Sequence, residues 1–373
     1  MKSVAGTIAS FLFVLIAAGC TGSASGQPDY TSKVDQLIDS AQTSNNIPSI
    51  CVAIGRKGNV TYTHCAGLID LENKIPATPN SIYQIASVTK QFTSAAIMML
   101  ANQNPPALSL TDPVSKYVPE LATDPGITIE SLMNMSAGLV DHVTLPEAPQ
   151  WFSGVAPLTV INALAPLPLG FPSGTAFEYV NSDPFVLGVV IENITGMSYG
   201  DFIQSKLLAP NGLTSTTYGP SPTGANAVGY TRDDSGNLVR ALVIDPSATF
   251  AAGALSSDVT DIVKWDGLLL GGKILLAKEV RQMTTPPPIT GSSHSEPSVY
   301  GYGLVATDLY GRPIVMHGGG VPGFNNITST FTDTGWSISV MSNIDKRDYI
   351  ADGLWREILD TVCTPGSPFR PEC

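Results

Sequence analysis

Ser87-Val88-Thr89-Lys90 is the only point in this chain of 373 residues at which a serine stands three residues before a lysine. A largely apolar run follows, from residue 92 to residue 100, and predicts a buried helix that begins at Ser87. Residues three apart share one face of a helix, so the hydroxyl and the amine are expected to lie together. The backbone N–H of Ser87 would point out of the helix N-terminus, without an intrahelical acceptor. One turn would therefore supply a nucleophile, a proton acceptor and half of an anion-binding pocket, as acyl transfer requires.

Taken singly, this motif has an ordinary alternative, with Ser87 as an N-cap and Lys90 as a solvated surface residue. The run after it is apolar on all sides of the predicted helix, so Lys90 is expected to be buried and not solvated. A second motif, Tyr179-Val180-Asn181, is the only Tyr-x-Asn and lies in a turn-rich stretch, where loops often present reactive groups. Its alternative is a tyrosine that anchors a loop and an asparagine that makes a turn.

A third motif, His317-Gly318-Gly319-Gly320, contains the only His-x-Gly in the chain and follows a short β-like run. Clustered glycines beside a strand allow a backbone or a ligand to come close. The alternative is a flexible connection with a chance histidine. As an imidazolium, His317 could bind a substrate carboxylate, and it could instead donate a hydrogen bond to Tyr179.

The order Ser-x-x-Lys, Tyr-x-Asn, His-x-Gly resembles the β-lactamase-related serine hydrolases, which include class C β-lactamases, D-alanyl-D-alanine peptidases and related esterases. The likeness extends over about residues 30–362 and includes the small-residue segment 252–261. It implies a β-lactamase/transpeptidase-like fold of the α+β class, a small-molecule or peptide substrate and no cofactor. His317 stands where β-lactamases carry lysine, a form seen in some D-peptidases and esterase-like members. The resemblance thus implies an acyl-enzyme formed on an ester, amide or D-peptide, with esterase or D-peptidase favoured over β-lactamase.

We hypothesise that Ser87 is the nucleophile and that Lys90 with Tyr179 forms the proton shuttle. Burial could favour the free amine of Lys90, or a charged Lys90 could favour the phenolate of Tyr179, and both assignments stay open. Asn181 would orient Lys90 and a substrate amide. By resemblance, the N–H of Gly320 would complete an oxyanion hole with that of Ser87. The rival function is a β-lactam-binding sensor or non-turnover penicillin-binding protein, which is acylated without being regenerated.

Charge and histidine spacing exclude other classes of function. The net charge is −12 and the pI is about 4.6, without a basic cluster, so a nucleic acid is not expected as a partner. The four histidines, at positions 64, 142, 294 and 317, are scattered and lack metal-ligand spacing. No metal site is therefore predicted.

The first residues predict an exported protein. Lys2 precedes an apolar stretch, residues 8–18, that is too short to span a bilayer and is typical of a signal peptide over residues 1–19. The sequence at Cys20 resembles a bacterial lipoprotein cleavage box, which would leave that cysteine lipidated and anchor the chain to a membrane. The alternative is an ordinary secretory signal cut near Ser25. Residues 20–29 would form a tether, and the predicted location is periplasmic or membrane-anchored in a bacterium, or alternatively secreted.

Four further cysteines form two expected disulfides, since export would expose them to an oxidising compartment. Cys51 and Cys65 flank a turn almost symmetrically, so two hairpin strands would bring them opposite each other. Cys363 and Cys373 would close a short C-terminal loop.

The coarse pattern of the chain predicts an antiparallel sheet flanked by helices. Residues 30–86 and 271–362 would form this α/β subdomain, beginning with an amphipathic helix over residues 30–45. A mainly helical subdomain, residues 87–270, would be inserted between them, and residues 363–373 would form a tail. The three motifs would then meet in the cleft between the two subdomains.

Overall fold

The structure is a computed structural model, which describes residues 30–122, 124, 126–285, 299–345 and 350–363. The predicted signal peptide, the tether with Cys20, and residues 364–373 of the predicted tail lie outside these ranges. Within the described ranges, no helix has the length and apolarity needed to cross a bilayer.

Strands come mainly from the two ends of the described chain. They are β1 (Ser49–Arg56), β2 (Asn59–Asp70), β3 (Ile75–Pro76), β4 (Ser81–Gln84), β5 (Thr217–Tyr218), β6 (Ala225–Asn226), β7 (Tyr230–Arg232), β8 (Leu238–Arg240), β9 (Leu255–Ser257), β10 (Val299–Tyr300), β11 (Val305–Leu309), β12 (Arg312–Val321), β13 (Phe324–Phe331) and β14 (Trp336–Ser342). The largest sheet has eight strands in the order β10-β11-β12-β13-β14-β1-β2-β3. Its pairings are antiparallel, and the β1–β14 pair joins the N-terminal strands to the C-terminal ones.

Helices occupy both ends and most of the middle of the chain. They are α1 (Tyr30–Ser44), α2 (Thr89–Asn102), α3 (Ile129–Met133), α4 (Ala148–Trp151), α5 (Pro157–Leu164), α6 (Ser182–Thr195), α7 (Tyr199–Phe202), α8 (Pro246–Gly253), α9 (Val259–Leu270), α10 (Ala277–Thr284) and α11 (Ile350–Val362). The α+β class predicted from the sequence is confirmed by this combination of an antiparallel sheet and helices.

The central strands of the large sheet are buried on both faces, as the side-chain alternation along β1 shows. Ile50, Val52 and Ile54 point to one face, where they pack in a cluster with apolar residues of α1 and α11. Cys51 and Ala53 point to the other face and join the larger core that contains α2, α6 and α9. The sheet therefore separates two apolar layers, and the helices between β4 and β10 cover the second one.

Helix α9 packs directly on the large sheet, although it lies in the range 87–270 that the sequence assigns to the helical subdomain. The hydroxyl of Thr328 on β13 donates a hydrogen bond to Asp266 Oδ2 on α9 at 2.6 Å. Trp265, on the same helix, stacks on Phe92 of α2 with ring centres 3.7 Å apart. Helix α9 thus connects the sheet to the buried helix that follows Ser87.

The first predicted disulfide is confirmed. Cys51 and Cys65 are opposite partners in the β1–β2 ladder, with their Cα atoms 4.2 Å apart and their sulfurs bonded at 2.04 Å. The second predicted disulfide stays a prediction, because Cys373 lies outside the described residues.

Candidate active site

Ser87 lies in a tight turn at the entrance to α2. The sequence predicted a helix that begins at Ser87, but Ala86–Val88 form a 3₁₀ turn and the regular α-helix begins two residues after the serine, at Thr89. Ala86 is buried and has φ of 48°, a backbone conformation that a residue with a Cβ adopts only under strain. Ser87 remains partly exposed between two buried neighbours. The turn therefore leaves the Ser87 hydroxyl accessible while its neighbours are buried.

Lys90 is buried, with 1% of its surface exposed, and its amine has three acceptors. Nζ lies 3.0 Å from Ser87 Oγ, 3.0 Å from Asn181 Oδ1 and 2.9 Å from the carbonyl oxygen of Ala252. A buried amine of this kind is tolerated because each of its protons has a hydrogen-bond partner. We call Ser87, Lys90, Asn181 and the carbonyl of Ala252 the inner cluster.

The Ala252 carbonyl is available because helix α8 is broken at Phe250. This residue has φ of 40° and ψ of −131°, a region normally reserved for glycine, although its side chain is 3% exposed. The break turns two successive carbonyls toward α2, where the hydroxyl of Thr93 donates to Ala251 at 2.7 Å and Lys90 donates to Ala252. The small-residue segment noted in the sequence thus supplies an acceptor that no motif predicted.

Tyr179 and Asn181 reach the inner cluster from the loop before α6. Asn181 is the N-cap residue of α6, and its Oδ1 accepts from Lys90. The ring centre of Tyr179 lies 5.0 Å from Lys90 Nζ, within cation–π distance, and the side chain is 40% exposed. The structure therefore brings together the serine, lysine, tyrosine and asparagine of the first two motifs.

His317 lies beside Tyr179 but pairs with a different tyrosine. Its Nε2 is 3.1 Å from the hydroxyl of Tyr300, and its Nδ1 is 2.6 Å from the carbonyl oxygen of Gly318. A carbonyl oxygen only accepts, so Nδ1 carries a proton, and the neutral ring can then accept at Nε2 from Tyr300. Burial raises the pKa of the Tyr300 hydroxyl well above its usual value, with smaller contributions from Tyr179 and Asp183, so this hydroxyl stays protonated and able to donate.

Four rings form the outer wall of the site, and we call Phe177, Tyr179, Tyr300 and His317 the aromatic cluster. The ring centre of Tyr300 lies 5.6 Å from that of Phe177, 5.8 Å from that of Tyr179 and 5.8 Å from that of His317. The contact between Tyr179 and His317 is also one between rings, at 6.2 Å. Such separations are typical of interacting aromatic side chains.

The glycines after His317 belong to a strand and do not form a flexible connection. Strand β12 continues to Val321 and pairs with β13 from Ile314 to its end. A Cβ on Gly319 would lie 2.2 Å from the carbonyl oxygen of Ile85, so only glycine allows the strand to pass this close to the turn that carries Ser87. Gly320 is the next residue along this strand.

Asp141 and His142 are part of the site, and sequence reasoning did not assign a role to either. Asp141 accepts hydrogen bonds from the backbone N–H and the side-chain amide of Asn181. His142 is buried behind Ser182, whose hydroxyl accepts from its backbone N–H at 2.8 Å. Burial lowers the pKa of His142, opposed by Asp141 and by a bond to the Ala248 backbone, and reinforced by the charge of Lys90. No pattern of spacing marks these residues, because Asp141 meets Asn181 and His142 meets Ser182 only through the fold.

A metal ion has no evident site in the described part of the chain. Among those residues, no group of three His, Cys, Asp or Glu side chains is arranged to hold one. The chemistry available to the inner cluster is that of a hydroxyl beside a buried amine.

Known proteins share this arrangement of elements. A family model described as Beta-lactamase matches residues 34–362. The D-aminopeptidase of Gluconobacter oxydans (strain 621H) is 27% identical over 352 residues, which are 92% of this chain and 64% of that protein. The chain thus spans less than two thirds of the length of this relative.

Solved structures give the same result for the fold. The octameric penicillin-binding protein homologue from Pyrococcus abyssi has a TM-score of 0.75 at 26% identity, covering 91% of this chain and 79% of that one. The D-amino acid amidase from Ochrobactrum anthropi SV3, complexed with L-phenylalanine amide, has a TM-score of 0.77 at 23% identity, covering 90% and 97%. The predicted β-lactamase/transpeptidase-like fold is therefore confirmed.

Proposed function

The chain belongs to the Beta-lactamase family, and from this premise we propose that it is a serine hydrolase that forms an acyl-enzyme on Ser87 with amides or peptides of D-amino acids. Membership follows from the match over residues 34–362 and confirms the resemblance inferred from the three motifs. The similarity to a D-aminopeptidase and to a D-amino acid amidase supports this substrate class. The observation that carries the proposal is the buried amine of Lys90, 3.0 Å from Ser87 Oγ.

The acceptors around Lys90 favour it as the base that receives the proton of Ser87. Asn181 Oδ1 and the carbonyl of Ala252 can only accept, so two amine protons of Lys90 point to them. The remaining position on Nζ faces Ser87 Oγ, and in the free amine that position is the lone pair. As Oγ bonds to the substrate carbonyl carbon, its proton passes to Nζ.

Release of the leaving group requires that this proton move on to the departing amine. Tyr179 stands over Lys90 and is partly exposed, so its hydroxyl is the group that would relay the proton outward. The N–H groups of Ser87 and Gly320 would bind the oxyanion, and the close approach of Gly319 to the turn before Ser87 supports this placement. Attack by water, with the proton steps reversed, would then free the serine.

The hydrogen bonds of His317 to Tyr300 and Gly318 favour substrates that do not place a free carboxylate beside this histidine. An imidazole whose two nitrogens are already bonded to Tyr300 and Gly318 is not the permanent positive charge that a lysine would offer to a carboxylate. Amides, amino-terminal peptide bonds and esters do not need one. This supports an amidase or aminopeptidase over a carboxypeptidase.

Purified wild type and the Ser87→Ala variant, with Ser94→Ala on the same helix as the matched control, would test the proposal. The substrates are D- and L-amino acid amides, a p-nitrophenyl ester and nitrocefin, and labelling by a fluorophosphonate measures the nucleophile. We expect turnover of D-amides and labelling by wild type and Ser94→Ala, and neither by Ser87→Ala. Stable labelling by a fluorescent penicillin without turnover of any substrate would support the sensor function instead.

We also propose that the chain is exported and anchored to a membrane through a lipid on Cys20. The charged and apolar residues before this cysteine, and the cleavage-box resemblance, support it. In a bacterial host, the full chain should fractionate with membranes and Cys20→Ser should not. An unlipidated mature chain that begins near Ser25 would indicate a secreted protein.

A further inference from the structure

Asp141 makes two hydrogen bonds to one residue of the inner cluster. Its Oδ1 accepts from the backbone N–H of Asn181 at 3.1 Å, and its Oδ2 accepts from the side-chain Nδ2 of Asn181 at 3.2 Å. The Asp141 side chain is 20% exposed, so both bonds form at the edge of the core. The two contacts, one to the backbone and one to the end of the side chain, fix the plane of the Asn181 amide.

These contacts select one of the two orientations of the Asn181 amide. An ionised carboxylate only accepts, so Nδ2 must face Asp141 and Oδ1 must face the other way, toward Lys90. In the reversed orientation Oδ1 would face a carboxylate, and Nδ2 would face an amine whose protons need acceptors. Both ends of the amide would then lack a hydrogen-bond partner, which is unfavourable even at a partly buried site.

The loop that carries Asp141 is itself held in place. The hydroxyl of Ser182 donates to the carbonyl of Val140 at 2.6 Å and accepts from the backbone N–H of His142. His142 Nδ1 lies 3.8 Å from Asp141 Oδ1, but burial lowers the pKa of this imidazole, so the charge of Asp141 is not neutralised by it. The residues before and after Asp141 are therefore both anchored to Ser182, which holds the Asp141 carboxylate in place.

We propose that Asp141 is a positioning residue that acts through Asn181 to aim the Lys90 amine at Ser87. The inference rests on the proposed function, because it assigns Asp141 a part in the acylation of that serine. Without the carboxylate, the Asn181 amide can turn over and offer Nδ2 to Lys90. The lone pair of the free amine would then be drawn toward Nδ2 and away from the proton of Ser87.

A structural role for Asp141 is the competing explanation, since its side chain also accepts from the backbone N–H of Val143 in a short 3₁₀ turn. A double-mutant cycle separates the two roles, with Asp141→Ala, Asn181→Ala and the double variant. The measured quantities are kcat, KM and the rate of fluorophosphonate labelling, which stays measurable over hours in slow variants. Thr144→Ala is the control, because the Thr144 hydroxyl donates to the Asp141 carbonyl in the same turn and is exposed.

If Asp141 acts through Asn181, Asp141→Ala alone should lower kcat and labelling rate about 10-fold or more, with KM changed less than about 3-fold. Such coupling is typical of side chains in one hydrogen-bond network. In the Asn181→Ala background the same substitution should have no further effect, and Thr144→Ala should match wild type. Asp141→Glu should recover part of the loss, whereas Asp141→Asn should not.

Equal losses from Asp141→Ala in both backgrounds would overturn the proposal, as would a lowered melting temperature with unchanged kcat. Failure of the proposed function itself is a separate outcome, because wild type would then show no labelling that depends on Ser87.

Discussion

The inner cluster and the aromatic cluster are held by different forces, although they share one site. Hydrogen bonds of about 3 Å fix the inner cluster, and its lysine is almost fully buried. Ring contacts of 5.6–6.2 Å, with one hydrogen bond between Tyr300 and His317, hold the aromatic cluster, whose Tyr179 is 40% exposed. Directional bonds tolerate little displacement, whereas ring contacts tolerate more. The comparison teaches that the serine and the lysine of the proposed chemical step are fixed in the core, whereas the partly exposed wall beside them is held more loosely.

The largest effect should come from removing the amine of the inner cluster. We expect Lys90→Ala to lower the acylation rate about 10²–10⁴-fold, because general-base catalysis contributes on this scale. Lys116→Ala is the control, since that lysine forms an exposed ion pair with Asp112. Stopped-flow or single-turnover acylation measures both variants. A loss below 10-fold for Lys90→Ala would mean that the inner cluster does not carry the chemistry.

The next largest effect should be on the free energy of unfolding, from substitution of Phe250, the strained residue that turns the Ala252 carbonyl toward Lys90. Phe250→Ala should lower the free energy of unfolding by about 3–5 kcal/mol, since the ring packs against Phe185 and Tyr199. Phe250→Gly loses the same ring but relieves a backbone conformation that costs about 1–3 kcal/mol. The glycine variant should therefore be the more stable of the two in urea unfolding. The reverse order would show that the backbone at this position is not strained.

Asp266 is a buried carboxyl outside both clusters, and its titration should make the free energy of unfolding depend on pH. Burial raises the pKa of Asp266 to about 7, although bonds from Thr328 and Thr330 oppose the shift. An unfolded aspartate titrates near 3.9, so between about pH 4 and 7 the folded state holds a proton that the unfolded state has lost. The stabilisation is complete below about pH 4 and falls by up to about 1.4 kcal/mol per pH unit until about pH 7.

Asp266→Asn keeps the side-chain volume and removes this titration. Its free energy of unfolding should therefore depend less on pH between 4.5 and 7 than that of wild type. Urea unfolding at three pH values measures the difference. Parallel pH profiles for the two proteins would show that Asp266 ionises normally in the folded state.

The smallest effect should come from the hydrogen bond between Tyr300 and His317 in the aromatic cluster. We expect Tyr300→Phe to lower kcat/KM only about 2–10-fold, because a single hydrogen bond contributes about 0.5–1.5 kcal/mol. In wild type, the ratio of activities on a D-peptide with a free carboxylate and on a D-amide should be flat from pH 5.5 to 8, since both ring nitrogens of His317 are engaged by Tyr300 and Gly318. A ratio that falls as the pH rises would instead assign His317 as an imidazolium that binds the carboxylate.

Much of this site could be predicted because its first pair is local. Ser87 and Lys90 are three residues apart across the 3₁₀ turn and the first turn of α2, so their contact follows from local helical geometry. The apolar run after them predicted the burial of Lys90. The meeting of Tyr179 and Asn181 with this pair came from the resemblance, because no local rule joins residues about 90 positions apart.

The parts that were missed depend on the tertiary structure. The acceptor at Ala252 is a backbone carbonyl, which every residue has, and only the break at Phe250 turns it toward Lys90. Nothing in the sequence distinguishes Asp141 from the other aspartates, because its contact with Asn181 forms only when the loop before α6 packs beside it. The glycines after His317 predicted a close approach of another backbone, which Gly319 makes to Ile85, but that this backbone is the turn before Ser87 follows only from the fold.

The pairing of β1 with β14 has a consequence for how the chain is made. Strand β1 ends at Arg56 and its partner begins at Trp336, so the ribosome must add roughly 280 residues before the ladder can close. At about 5–20 residues per second, one edge of β1 waits for some tens of seconds with its peptide groups free to pair with other chains. A newly made molecule therefore needs protection at that edge, and a truncated one that lacks β14 should aggregate.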